Sequence, residues 1–115
     1  MRIYVASKYE EKAYVSEIMD ALRKAGHVIT YDWTTNEQVN EAQARADMNG
    51  VRSAEALVLI AEKDLNYCGA LVELGIALGL RIPIFVVGKA LNDRCIFMRL
   101  PEIRRDFETL LYPPV

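Results

Sequence analysis

Short, continuous apolar runs alternate along this chain with longer stretches in which apolar residues return every three or four positions. The run Ile3, Tyr4, Val5 and Ala6 has no polar face, as expected of a strand covered on both sides in a parallel sheet. Between residues 10 and 25, the residues Ala13, Val15, Ile18, Met19, Leu22 and Ala25 recur at helical spacing. Gly26 follows, where a helix end favours a left-handed residue. Residues 27–32 predict a second strand, because Val28, Ile29, Thr30 and Tyr31 are β-branched or aromatic.

A helix is expected over residues 37–53, with a weak apolar face and a break or bend near Gly50. Residues 56–60 are the clearest buried strand, followed by a polar loop at 62–68 and a helix from about Gly69 to Gly79. Ile84, Phe85, Val86 and Val87 form a fourth strand between Pro83 and Gly88. Beyond it, residues 95–98 suggest a short fifth strand and residues 104–111 a final helix, ended by Tyr112, Pro113, Pro114 and Val115. Strictly alternating strands and helices imply a three-layer α/β fold, Rossmann-like or flavodoxin-like, with a parallel sheet of four to five strands and right-handed crossovers.

The composition narrows the class without changing this picture. With 115 residues, 52% of them hydrophobic and 26% charged, the chain has material for one core, so residues 1–115 are read as a single domain. A net charge of −2 gives no general attraction to phosphate backbones, so nucleic acid is not an expected partner. Cys68 and Cys95 lack zinc-type spacing and read as reduced thiols, with no metal or cofactor implied. No apolar run approaches the roughly 20 residues of a membrane span, and the opening MRIYVAS runs straight into a strand, so a cytoplasmic location is expected.

Ligands of open parallel sheets bind beyond the carboxyl ends of the strands, which directs attention to the loops there. Ser7, Lys8 and Tyr9 follow the first strand and offer a hydroxyl, a cation and a ring at a helix N-terminus. Trp33, the single tryptophan, stands just past the second strand and either stacks on a planar group or packs in the core. The most informative segment is residues 69–79, a helix almost wholly apolar apart from Glu73. An ionisable group on such a helix is costly unless it is paired or used. Gly69 would let a ligand approach the helix start, and Gly75 and Gly79 would let the helix approach the sheet.

Taken in order, these parts resemble the nucleoside 2-deoxyribosyltransferase family, which includes hydrolases of deoxynucleoside monophosphates. The resemblance covers residues 2–88: a first strand with a polar loop, Asp47 ahead of the third strand, and Gly69 to Ala77 as a G-x-x-x-E-L-G-x-A helix entering the fourth. It implies that Glu73 is the nucleophile attacking the anomeric carbon, as in retaining glycosidases. It further implies that Asp47 binds the sugar or handles a proton near the leaving base, and that Ser7, Lys8, Tyr9, Trp33, Tyr67 and Gly69 contact a nucleoside or nucleotide. Ser7, Lys8 and Tyr67 are donors suited to a phosphate.

Two features depart from the family pattern. Tyr67 stands where transferases carry an acidic residue, and a phenol cannot act as a carboxylate at neutral pH. The family completes its site from a neighbouring subunit, which implies a homo-oligomer, and here the tail offers Asn92 and Asp93. An inactive nucleotide-binding module and an enzyme of the NAD glycohydrolase type are the alternative functions.

Overall fold

The continuous apolar runs form the centre of the molecule. The computed structural model describes residues 1–36 and 38–112; Glu37, expected to begin a helix, and Pro113 to Val115, expected to end one, lie outside the described residues. Strand β1 (Arg2–Ala6) lies between β2 (Val28–Ile29) and β3 (Ala56–Ile60). Strands β4 (Ile84–Val87) and β5 (Ile103–Arg104) extend the sheet on the far side of β3. Every pairing is parallel and the order is β2-β1-β3-β4-β5, that of flavodoxin-like doubly wound sheets. Ile3 to Ala6 and all of β3 are buried, which explains why these strands carry no alternation of polar residues.

Among the described residues four α-helices cover the sheet: α1 (Lys12–Lys24), α2 (Glu41–Arg52), α3 (Cys68–Leu80) and α4 (Glu108–Leu111). The β1-to-β2 crossover runs opposite to those that follow, so right-handed connections put α1 on one face and α2 and α3 on the other. Accordingly, α2 packs on α3 while α4 packs on α1. Gly26, with φ of 96°, takes the left-handed position that ends α1.

Three expectations need correction. Helix α2 runs unbroken through Gly50. A Cβ there would lie 2.8 Å and 2.9 Å from two ring carbons of Tyr4, so this glycine lets α2 approach β1 rather than bend. Gly75 and Gly79 do not seat α3 on the sheet, since a Cβ on either would meet no atom within 4 Å. The fifth strand is Ile103–Arg104, and the segment expected to supply it holds a 3-10 turn at Ile96–Arg99. Arg104 stacks on the Phe85 ring of β4, 4.5 Å from its centre, which helps fix so short an edge strand.

Candidate active site

Strands β1 and β3 lie where the winding of the sheet reverses, and the crevice beyond their carboxyl ends is where such folds place ligands. A cavity of about 350 Å³ opens there, lined by residues of β1, α2, α3 and the loops between them. Glu73 and Asp47 both face it, and so do Ser7, Tyr9, Trp33 and Gly69. An adjoining cavity of about 420 Å³ shares Ser7, Tyr9, Asp47 and Gly69 and adds Lys8 and Tyr67. The structure thus brings all eight sequence-predicted residues to one edge, but Lys8 and Tyr67 do not line the space that Glu73 faces.

Helix α3 explains the position of Glu73. Asn66 Oδ1 accepts the Cys68 backbone N–H at 3.1 Å and opens the helix, and Arg81 ends it in the left-handed region at φ of 59°. Glu73 lies on the inward side with Ala70, Leu74 and Ala77 and is only 8% exposed. Its carboxylate accepts a short hydrogen bond from the Tyr4 hydroxyl. Burial pushes the Glu73 carboxyl up to about 8; the Tyr4 hydrogen bond opposes this shift, and the nearby Asp47 charge adds to it. Burial and the Glu73 charge likewise drive the Tyr4 phenol upward, so it remains a proton donor.

Tyr4 is a site residue that the sequence reading did not single out. The available signal was a phenol inside an otherwise aliphatic buried strand, since a buried tyrosine hydroxyl needs a partner. Gln43 was missed as well. Its Nε2 donates to Asp47 Oδ1 at 2.9 Å, and its Oε1 accepts from the Tyr31 hydroxyl at 3.1 Å. Burial raises the half-buried Asp47 carboxyl, against the hydrogen bonds from Gln43 and Tyr4.

The other expected residues have definite tasks. Trp33, 7% exposed, donates its indole N–H to the Val5 carbonyl at 2.7 Å and forms a fixed wall of the cavity. Ser7 donates its hydroxyl to the Ile60 carbonyl at 2.8 Å, tying β1 to β3 at the site edge. Lys8 pairs with Glu10 at 3.3 Å. Tyr67, 2% exposed, donates to the Lys63 carbonyl at 2.9 Å. A Cβ on Gly69 would meet nothing within 4 Å, so the cavity is open beside it.

Among the described residues no group of three or more His, Cys, Asp or Glu side chains is placed to hold a metal ion. Among the described residues no helix is long and apolar enough to cross a membrane. The arrangement can present a carboxylate nucleophile and a second carboxylate to a small ligand held against an aromatic wall.

Comparison with known proteins bears on the fold and the family. The structure is similar to that of a 2-deoxyribosyltransferase from the psychrotolerant bacterium Bacillus psychrosaccharolyticus, with a TM-score of 0.72 and 20% identity over 96% of each chain. No curated protein matches in sequence. The model of the family Nucleoside 2-deoxyribosyltransferase matches residues 3–97. The chain therefore belongs to the nucleoside 2-deoxyribosyltransferase family of enzymes.

Proposed function

We propose that this protein cleaves or transfers the N-glycosidic bond of a (deoxy)nucleoside, with Glu73 as the nucleophile. The observation that carries this reading is the buried Glu73 carboxylate beside Tyr4, facing a cavity that Asp47 also lines. In the first step a Glu73 oxygen bonds to the anomeric carbon as the carbon–nitrogen bond breaks and its electron pair leaves with the base. Asp47, entering protonated, gives its proton to the departing base and, as the carboxylate, takes one from the incoming water or base. Water, or a second base, then attacks the same carbon and releases Glu73 as a carboxylate.

An uncharged nucleoside suits the site better than a monophosphate. The residues lining the Glu73 cavity include Glu10, Asp47 and Glu73 but neither Lys nor Arg. The three groups suited to a phosphate, Ser7, Lys8 and Tyr67, already hold protein partners.

A second copy of the chain is the proposed partner. Helix α3 turns Val72 and Leu80 to solvent, and Ile96 and Phe97 stand exposed. A groove of about 370 Å³ runs between Leu71, Leu74, Gly75, Leu78, Cys95 and Phe97. Such an apolar face is characteristic of an interface. Light scattering should give a dimer or larger assembly, and a monomer at micromolar concentration would count against it.

The function is tested by incubating the purified protein with a panel of nucleosides and their monophosphates and following free base. Replacing Glu73 with Gln should reduce release by several orders of magnitude while leaving the fold intact. Near-normal release by Glu73→Gln would show a different nucleophile, and no release by the wild type from any substrate would favour a binding module.

A further inference from the structure

One carboxamide organises the cavity wall formed by α2. Gln43 is the third residue of α2, and the N-cap Asn40 accepts its backbone N–H at 2.8 Å. A glutamine at this position of a capping box turns back toward the cap residue. Here the side chain turns forward and reaches Asp47, one helical turn on, at 2.9 Å. Its carbonyl oxygen accepts from the Tyr31 hydroxyl at 3.1 Å and, through a short bond, from Asn36 Nδ2. Two donors on the carbonyl side leave the amide one way round, with its N–H toward Asp47.

Among the described residues no cation forms an ion pair with Asp47. The titratable groups that line the two cavities with Asp47 are Tyr4, Tyr9, Glu10, Tyr67, Cys68 and Glu73, together with Lys8, which pairs with Glu10. Glu73 and burial oppose ionisation of Asp47, and the hydrogen bonds that Asp47 accepts favour it. Gln43 supplies such a bond without adding charge, and Asn36 and Tyr31 hold it in place.

We infer that Gln43 is the positioning residue of this site: its amide N–H ties back Oδ1 of Asp47 and fixes how this carboxyl faces the cavity beside Glu73. The inference rests on the glycosyl-transfer reading for its catalytic consequence, but not for its physical content. A charge-assisted hydrogen bond of this kind shifts a carboxylate by about one pKa unit.

The test is a carbon-13 titration of the Asp47 carboxyl, assigned with Asp47→Asn, in the wild type and in Gln43→Leu and Gln43→Glu. Gln43 is half-buried, so both variants should fold, and circular dichroism checks that they do. Asp47 should titrate higher by about one unit in Gln43→Leu and at least as far in Gln43→Glu, with a smaller rise in Asn36→Ala. With the best nucleoside, Gln43→Leu should lower kcat about tenfold or more and leave KM near the wild-type value. An Asp47 titration unchanged in both Gln43 variants would overturn the inference, as would an unchanged kcat. If the wild type released no base at all, the glycosyl-transfer reading would fail, and the titration, which needs no substrate, would still decide whether Gln43 holds Asp47.

Discussion

Tyr4 on the central strand β1 and Glu73 on helix α3 share one short hydrogen bond, with the phenol as donor and the carboxylate as acceptor. The bond joins the sheet to the helix packed on it and partly offsets the burial that raises the Glu73 carboxyl. Removing the phenol in Tyr4→Phe should raise the Glu73 carboxyl further, because this hydrogen bond is what opposes burial. A pH profile of kcat/KM that requires ionised Glu73 should then move to higher pH by about one unit. An unmoved profile would separate Tyr4 from the ionisation of Glu73.

The same carboxyl sets a trade between activity and stability. Glu73 is held near 8 in the folded protein, against an ordinary value of 4.5. The folded state therefore keeps the proton more tightly than the unfolded chain, and stability should fall as pH rises from 4.5 through about 8. Glu73→Gln keeps the shape without the charge, so it should melt about 5 °C or more above the wild type at pH 8.5, with little difference at pH 4. Equal melting temperatures at both pH values would mean that the Glu73 charge is well solvated.

Asp47→Asn has two consequences of opposite sense. Losing the second carboxylate should lower base release by about a hundredfold or more, the usual size of a proton-transfer contribution. The Asp47 charge also helps hold the Glu73 carboxyl high, so the pH at which residual activity appears should fall. Kinetics across pH 5–9 would measure both, and a profile shifted upward would contradict the proximity of the two carboxylates.

Gly50→Ala tests the close approach of α2 to β1. Alanine favours a helix over glycine by about 1 kcal/mol, but its methyl group would press within 3 Å of the Tyr4 ring. Overpacking of a core by one methyl costs about 1–3 kcal/mol, and the Tyr4 ring has no room to withdraw because it is fully buried. A net loss of several degrees in melting temperature is expected, together with weaker base release as the phenol shifts. A rise in melting temperature would show that the ring can move.

The legible parts of the fold were those where burial is complete. Strands β1, β3 and β4 were read at or near their observed bounds because uninterrupted apolar residues between turn signals leave few alternatives. The edge strands were not, since β2 and β5 pair through only two residues each. Cys95 to Met98 carries strand-like residues, yet backbone bonds such as Met98 N–H to the Cys95 carbonyl close it into turns. Glu73 was legible because a lone acid on an apolar helix contradicts its surroundings, whereas Tyr4 was concealed by belonging to a strand that is buried on every side. Gln43 shows nothing in composition; its role arises from Tyr31 and Asn36, which only folding brings beside it.

The two-residue pairing of β2 has a further effect on how the cavity responds to a ligand. Tyr4 and Glu73 belong to the middle of the sheet and its covering helix, where amides exchange with solvent only when the whole domain opens. Asn36 lies in the loop beyond the short edge strand and Gln43 in the first turn of α2, segments that open far more cheaply. One wall is therefore a fixed template and the other a compliant one. Ligand binding should slow exchange at residues 30–36 and 38–44 by orders of magnitude while scarcely changing it along β1, and affinity gained by a tighter inhibitor would appear mainly as a slower departure rate.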